Sequence, residues 1–246
     1  MTSPAPRTSQ IARNIADVEQ RIAAAAARVG RQAREIRLLP VSKTKPPADI
    51  LEVRGLGYRR FGENKVQEAH AKWAELSDTD IEWAVIGHLQ TNKARVVAQF
   101  AAEFQALSSL KLAAELDKRL QAEGRRLEVL VQVNSSDEPQ KYGLPPAEAL
   151  AFTRELAAFD ALDVKGLMTL ALFTDDAERV RACFEVMQQV QRELRDADGG
   201  GWDELSMGMS GDFELAIEHG ATCVRVGQAI FGSRLDPDAY WPGAAR

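Results

Sequence analysis

A lysine follows an apolar run near the start of the chain. The run LLPVS, residues 38–42, precedes Lys43. Such a run is typical of a buried strand, and burial of a lysine at a strand end lowers the pKa of its ammonium group. The neutral amine attacks aldehydes and forms Schiff bases. Lys43 is therefore a candidate carbonyl-binding residue, and the alternative is a surface lysine at a strand terminus. Lys45, just before Pro46, is expected to be solvated or paired.

Two glycine-containing segments near the end of the chain have the pattern of an anion site. The segment 208–220, GMSGDFELAIEHG, puts Ser210 and Gly211 at the start of a predicted helix, where free N–H groups and the helix dipole favour an anion. The segment VRVGQAIFG puts Gly227 and Gln228 directly after a strand. Together the two segments predict one phosphate site, whereas either alone is explained by a structural glycine turn.

Arg225 lies inside the last apolar strand. Its charge cannot be removed by deprotonation, so it must pair with a carboxylate or meet a ligand, and a ring nitrogen is one suitable partner. His88 is the one histidine at a strand end and is a candidate ligand contact, while His70 and His219 lie in helical patterns. No group of His, Asp and Glu has metal-ligand spacing, and we expect no metal.

A repeating pattern of strands and helices must position these residues. Short runs rich in Val, Ile and Leu predict eight strands, at 36–42, 58–64, 81–87, 103–109, 127–134, 163–170, 203–209 and 223–227. A first helix runs from Ser9 to Gly30, and further amphipathic helices are predicted at 64–76, 92–100, 110–121, 146–159, 176–194 and 212–220. Eight β/α units in roughly 250 residues indicate a single (β/α)8 TIM barrel, with the candidate residues at its C-terminal face. An open doubly wound sheet uses the same alternation and is the alternative.

Composition restricts the partners and the compartment. The chain has 31 Lys and Arg against 36 Asp and Glu, a net charge of -5, so we expect neither nucleic acid nor anionic membrane as a partner. The two cysteines, Cys183 and Cys223, are interpreted as core thiols. No apolar run reaches the roughly 18 residues of a membrane span, and no signal peptide is evident. We expect a cytoplasmic protein with a flexible tail at 1–8, one domain at 9–235 and a second tail at 236–246.

Seven segments together carry a resemblance to a known family. They are VSKTKP at 41–46, FGENKVQE at 61–68, IGHLQTNKAR at 86–95, VQVNSSDE at 131–138, KGLM at 165–168, LSMGMSGDFELAI at 205–217 and VRVGQAIFG at 224–232. The sequence resembles the pyridoxal phosphate homeostasis proteins, whose bacterial members are often called YggS-like. The resemblance implies a fold similar to the N-terminal barrel of alanine racemase and no well-established catalytic activity. It also implies pyridoxal 5′-phosphate bound as a Schiff base through the first lysine of VSKxKP, which is Lys43.

The resemblance also implies roles for other positions. Ser210, Gly227 and Gln228 hold the phosphate of the cofactor. Arg225 faces the pyridine nitrogen, and Asn64 of the GEN segment lies beside the cofactor.

Two positions depart from the family pattern. Relatives often carry a histidine before the Ile-Gly of the third strand, where this chain has Ala84, so any role of that imidazole is in doubt here. Their strand-five loop often reads Ser-Lys-x-Gly, and here it reads Gln-Lys-Tyr-Gly at 140–143. The retained Lys141 is either a second aldehyde-reactive amine or a solvated loop lysine.

Three functions remain open. The first is a monomeric carrier that holds pyridoxal phosphate without turnover and releases it to apoenzymes. The second is a pyridoxal-dependent amino-acid racemase, and the third is a Schiff-base aldolase acting on a phosphorylated sugar. The resemblance favours the carrier. Aldolase chemistry needs partner acids, and the predicted strand ends offer few besides Glu63 and Asp137. Related racemases use a tyrosine from a second domain, for which we expect no room before Arg246, and Tyr142 in a loop is a poor substitute.

Overall fold

Eight parallel strands form one sheet in the computed structural model, which describes residues 7–138 and 140–232. The strands are β1 Arg37–Pro40, β2 Arg60–Glu63, β3 Glu82–Val85, β4 Ala101–Leu107, β5 Leu127–Gln132, β6 Leu162–Met168, β7 Glu204–Ser206 and β8 Cys223–Val226. They pair in the order β1-β8-β7-β6-β5-β4-β3-β2. All eight were predicted, because each lies in a short run that alternates with amphipathic helical patterns.

The sheet closes on itself. Just beyond β1, Val41 forms a parallel bridge with Gly62 of β2, and the Ser42 N–H donates to the Gly62 carbonyl at 3.0 Å. The architecture is therefore the predicted (β/α)8 barrel, and the open-sheet alternative is wrong. This single bridge is the seam of the barrel.

Nine α-helices lie in the described part of the chain. They are α1 Arg7–Arg28, α2 Pro47–Gly55, α3 Val66–Glu75, α4 Ala94–Phe100, α5 Leu110–Ala122, α6 Ala149–Leu156, α7 Ala177–Asp198, α8 Phe213–Glu218 and α9 Gln228–Phe231. The sequence pattern indicates neither α2 nor α9. The helix α2 starts with Pro47 at its first position, where the absent N–H costs nothing, and its buried apolar residues are only Ile50 and Val53. α9 is a single turn.

The core has an apolar layer between the strands and the helices. Buried residues of α1 at spacings of three and four, among them Ile11, Ile15 and Val18, join this layer, and α1 packs against α8 and α9. Both cysteines are buried and unpaired, as expected for core thiols. Within the described residues, no helix is long and apolar enough to cross a membrane. Most of both predicted tails, 1–8 and 236–246, lies outside the described residues.

The amino-terminal end of the barrel interior is closed by charges. Glu103 of β4 is buried and accepts from Arg37 at 2.8 and 3.1 Å and from Arg60 at 2.7 Å. Arg37 also reaches Glu204, and Arg60 also reaches Glu128. Burial opposes ionisation of Glu103, but the two arginines outweigh it and hold the pKa of Glu103 below its usual range. The open end for ligands is therefore the opposite one.

Candidate functional site

The predicted site residues occupy one continuous part of the barrel mouth, the carboxyl ends of the strands. Lys43 follows β1, Asn64 follows β2, Ser210 follows β7, Arg225 lies within β8 and Gly227 follows β8. In the sheet β7, β8 and β1 are neighbours, and the seam joins β1 to β2. We call these four adjacent strand ends the site arc.

The two predicted phosphate segments come together on the site arc. The backbone N–H of Ala229, in the first turn of α9, donates to the Ser210 hydroxyl at 3.4 Å. Gly227 precedes that turn and packs on β1, where an added Cβ would lie 3.0 Å from the Val41 carbonyl oxygen. Gln228 begins α9 and is exposed. The Ser210 loop and the first turn of α9 thus contact each other at the barrel mouth.

Gly208 lets the chain turn from β7 into the Ser210 loop. Its φ is +93°, and an added Cβ would lie 2.7 Å from the Ala216 Cβ and 2.9 Å from the Phe213 Cα. A side chain there would push α8 away from the strand. The glycine therefore fixes the approach of the Ser210 loop to the mouth.

Arg225 is buried, with 3% of its surface exposed. Its Nη1 donates to the Ser206 hydroxyl at 2.6 Å and its Nη2 to the Thr169 carbonyl at 2.7 Å. Among the described residues no carboxylate lies within ion-pairing distance of its guanidinium. Burial lowers the pKa of Arg225. Of the two partners considered from sequence, the carboxylate is not found, and a ligand acceptor remains.

Arg225 is the upper end of a chain of hydrogen bonds through the barrel interior. The Ser206 hydroxyl accepts from Arg225 and donates to Gln105 Oε1 at 2.7 Å. The Gln105 amide in turn donates to Glu103. Because a carboxylate only accepts, the orientation of every group in this chain is fixed. The sequence does not indicate Gln105 or Ser206, since isolated polar residues in a strand are typical of a solvated face.

Lys43 is half-buried in the turn that leaves β1. The Lys45 N–H closes this turn on the Ser42 carbonyl at 3.0 Å. Lys45 itself is buried rather than solvated, and its Nζ donates to the Phe231 carbonyl at 3.1 Å, at the end of α9. Of these two lysines, Lys45 is the buried one that binds backbone carbonyls, and Lys43 is the more accessible.

Asn64 is exposed at the end of β2, and its backbone lies tightly against the next strand end. A Cβ on Gly87 would lie 2.2 Å from the Asn64 carbonyl oxygen. Only glycine fits at residue 87 with this backbone. The Ile-Gly dipeptide after the third strand was the available signal for this contact.

The other side of the mouth carries an aromatic stack. His88, after β3, and Tyr142, after β5, stack with centroids 3.8 Å apart and planes 6° apart. Both are exposed. The stack therefore links two loops that lie outside the site arc.

Lys141 and Ala84, the two positions that depart from the family pattern, contact only neighbouring protein groups in the described part of the chain. Lys141 pairs with Glu138 at 2.5 Å and donates to the Ala171 carbonyl at 2.9 Å, so it ties the loop after β5 to the loop after β6. Ala84 is fully buried in a small apolar cluster with Leu39 and Cys223. A methyl group thus fills that part of the barrel.

The fold, with the predicted site at its strand ends, defines a class, the β/α barrels of the alanine racemase type. The family model described as alanine racemase, N-terminal domain, matches residues 9–235. The chain is also 42% identical over 231 residues to the pyridoxal phosphate homeostasis protein of Escherichia coli (strain K12), covering 92% of this chain and 97% of that one. The corresponding protein of Pseudomonas aeruginosa is 40% identical over 226 residues, covering 92% and 96%. The chain belongs to the pyridoxal phosphate homeostasis protein family.

A solved structure agrees with this assignment. PipY of Synechococcus elongatus PCC7942, determined with pyridoxal phosphate bound, is 36% identical to this chain. The superposition has a TM-score of 0.80 and covers 91% of this chain and all of PipY. The barrel predicted from sequence is therefore the fold of a known pyridoxal phosphate-binding relative.

Proposed function

We propose that this protein holds pyridoxal 5′-phosphate as a Schiff base on Lys43 and acts in the cytoplasm as a carrier in pyridoxal phosphate homeostasis, without catalytic turnover. The names of its relatives and the cofactor bound to PipY support the ligand. The observation that carries the proposal is the site arc, where an accessible lysine, a serine facing a turn of amides, and a buried arginine occupy adjacent strand ends.

The residues of the site arc fit each part of the cofactor. Once deprotonated, the Nζ of Lys43 would attack the aldehyde carbon, with a C=N bond formed and the carbonyl oxygen lost as water. Ser210, Gly227 and Gln228 bind the phosphate, since the Ser210 loop contacts the turn that begins after Gly227. Asn64 lies beside the ring. Arg225, held by Ser206 and Thr169 and facing no carboxylate among the described residues, donates to the pyridine nitrogen.

Arg225 removes one feature that deepens pyridoxal catalysis, but racemases that resemble this barrel tolerate such an arginine, so the second base is what distinguishes a carrier from a racemase. Pyridoxal phosphate acts on amino acids as an electron sink, which a protonated ring nitrogen held by a carboxylate deepens. A guanidinium only donates hydrogen bonds and so favours the unprotonated nitrogen. A racemase also needs a second base, which in related racemases is a tyrosine. Among the described residues the tyrosine at the barrel mouth is Tyr142, and its ring stacks on His88 beside the ends of β3 and β5. That position is away from the site arc.

The cofactor assignment is tested by the visible absorption of the purified protein. We expect a Schiff-base band in the wild type and in Lys141→Ala, a matched lysine variant at the mouth, and no band in Lys43→Ala. Borohydride reduction followed by peptide mapping locates the pyridoxyl group. A label found mainly on Lys45 or Lys141 would contradict the assignment to Lys43.

The carrier function is tested with the holoprotein. We expect it to be a monomer by light scattering, to transfer pyridoxal phosphate to an apoenzyme that requires it, and to leave alanine, serine and glutamate stereochemically unchanged. Racemisation at about 1 per second or faster, lost in Lys43→Ala, would establish the racemase instead.

A further inference from the structure

A buried ion cluster lies at the seam of the barrel, directly behind the turn that carries Lys43. Lys72 of α3 is completely buried, and so is Glu63 at the end of β2, while Glu68 of α3 is 4% exposed. The Lys72 Nζ donates to Glu63 Oε1 at 2.6 Å and to Glu68 Oε1 at 2.7 Å. We call these three residues the Lys72 cluster. Burying three ionisable groups together is unfavourable unless each is hydrogen-bonded, so these residues are expected to serve a purpose.

Each member of the Lys72 cluster binds a residue next to Lys43. The Lys72 Nζ donates to the Ser42 carbonyl at 2.7 Å. The Ser42 hydroxyl donates to Glu63 Oε1 at 2.7 Å. On the other side of Lys43, the Thr44 N–H donates to Glu68 Oε1 at 2.5 Å. Residues 42 and 44 are therefore both fixed to β2 and α3 by buried charged groups.

The turn needs this support because its backbone is strained. Thr44 has a φ of +62°, a left-handed conformation that β-branched residues rarely adopt. Such conformations persist where surrounding contacts enforce them, and they occur often at ligand sites. The hydrogen bond from the Thr44 N–H to Glu68 is such a contact.

The cluster also replaces missing strand pairing. Beyond the Val41–Gly62 bridge, β1 and β2 have no ladder in the described chain. At that point the ammonium group of Lys72 and the carboxyl group of Glu63 connect Ser42 to β2 and α3. The side chains thus complete the closure of the barrel where Lys43 emerges.

We propose that Lys72, Glu63 and Glu68 are positioning residues that hold the backbone of Lys43 in one orientation at the mouth and thereby set its affinity for the aldehyde of the cofactor. This inference rests on the proposed Schiff base at Lys43. It assigns the cluster a part in cofactor binding in addition to its part in closing the barrel.

The test compares two substitutions at Glu68 and two lysine substitutions. Glu68→Ala removes the acceptor for the Thr44 N–H, whereas Glu68→Gln keeps an oxygen there. Lys72→Met removes the ammonium group, and Lys165→Met is its control, because Lys165 pairs with Asp163 of β6 and not with the turn. We expect pyridoxal phosphate to bind about tenfold more weakly or worse in Glu68→Ala and Lys72→Met, from the loss of a charged hydrogen bond. Lys165→Met should remain within about threefold of the wild type, because its ion pair with Asp163 is exposed. Glu68→Gln should lose less affinity than Glu68→Ala, because its amide oxygen can still accept from the Thr44 N–H.

A spectroscopic readout separates positioning from folding. In Glu68→Ala the midpoint pH of the Schiff-base band should shift, because the amine is no longer held in one environment, and Glu68→Gln should restore it. Thr44→Gly, which adopts the same φ without strain and keeps the N–H, should bind like the wild type. If Lys72→Met fails to fold, the Glu68 and Thr44 variants decide the question.

The outcomes distinguish the two proposals. A wild-type pyridoxyl label on a residue other than Lys43 overturns the proposed function and this inference with it. A label on Lys43, together with unchanged affinity and midpoint pH in folded Glu68→Ala, overturns the positioning role alone.

Discussion

Ser206 of β7 and Arg225 of β8 face each other inside the barrel, with Arg225 Nη1 2.6 Å from Ser206 Oγ. The Ser206 hydroxyl therefore accepts a hydrogen bond from the Arg225 guanidinium and donates one to the Gln105 side-chain oxygen. A buried guanidinium with only donors is thereby connected to the carboxylate of Glu103 without direct contact. This relationship makes Ser206 a structural partner of the proposed pyridine contact.

Ser206→Ala should destabilise the protein by about 1–3 kcal/mol, because it leaves a buried donor on Arg225 and a buried acceptor on Gln105. Urea unfolding of the apoprotein measures the loss. Thr79→Ala is a control, since it removes a hydroxyl that bonds only the Leu76 carbonyl of its own turn, and we expect a change of about 0.5 kcal/mol or less. Equal losses of unfolding free energy in the two variants would mean that the buried hydrogen bonds of Ser206 contribute no more to stability than the turn hydroxyl of Thr79 does.

Ser210→Ala should weaken retention of pyridoxal phosphate by about tenfold or more, because a hydrogen bond to a charged phosphate contributes about 1.5–3 kcal/mol. Titration of the apoprotein with the cofactor measures this. Ser136→Ala, in the loop after β5, is the matched control and should bind normally. Gly227→Val should also bind weakly, with some loss of stability because its side chain presses on Val41. Unchanged affinity in Ser210→Ala would remove its phosphate role.

Glu63→Gln should change how stability depends on pH. Burial raises the pKa of Glu63 to about 7, with Glu68 adding to the shift while Lys72 and Ser42 oppose it. The folded state therefore holds a proton that the unfolded state has released, so the contribution of Glu63 to stability is fully present below its unfolded pKa, near 4.5, and is lost as the pH rises to about 7. Between pH 5 and pH 8 the unfolding free energy of the wild type should fall relative to that of Glu63→Gln. Urea curves of both apoproteins at the two pH values measure the difference, and a constant difference would contradict the raised pKa.

Two glycine substitutions should have opposite effects. Gly87→Ala places a Cβ 2.2 Å from the Asn64 carbonyl oxygen and should lower both the melting temperature and the cofactor affinity, because the β2 and β3 ends must separate. Gly55→Ala, at the end of α2, meets no atom within 4 Å and should stabilise by about 0.5–1 kcal/mol. Thermal melts of both variants provide the comparison. A Gly87→Ala protein that melts like the wild type would show that this contact relaxes freely.

Much of this architecture could be predicted from the sequence because strand composition and the topology of parallel barrels act together. Short apolar runs that alternate with amphipathic helices indicate the eight strands. The rule that ligands bind at the carboxyl ends of these strands then puts Lys43 and Ser210, which are far apart in sequence, on one side of the barrel. The helix α2 has no clear periodicity and was not indicated.

The supporting polar residues could not be predicted in the same way. Glu68 and Lys72 stand four apart on α3, a spacing typical of a solvent-exposed ion pair, yet both are buried behind the Lys43 turn. Gln105 and Ser206 alternate with apolar residues like the outward positions of a strand, but closure of the sheet turns them inward. Which side of an element faces the interior depends on neighbours distant in sequence.

The strands β1 and β2 are joined by a single bridge, so the number of backbone hydrogen bonds between neighbouring strands differs around the barrel. Local separation at the Val41–Gly62 bridge breaks fewer backbone hydrogen bonds than separation of β4 from β5, which pair along a longer ladder. Native-state amide exchange should therefore be faster at Ser42 than in the β4 and β5 strands, since it reports such breathing motions. A cofactor attached at Lys43, as proposed, favours the closed state in proportion to its binding, so exchange at Ser42 and Thr44 should slow as the site fills. The weakly paired Val41–Gly62 bridge is thus the place where an attached ligand would protect the barrel.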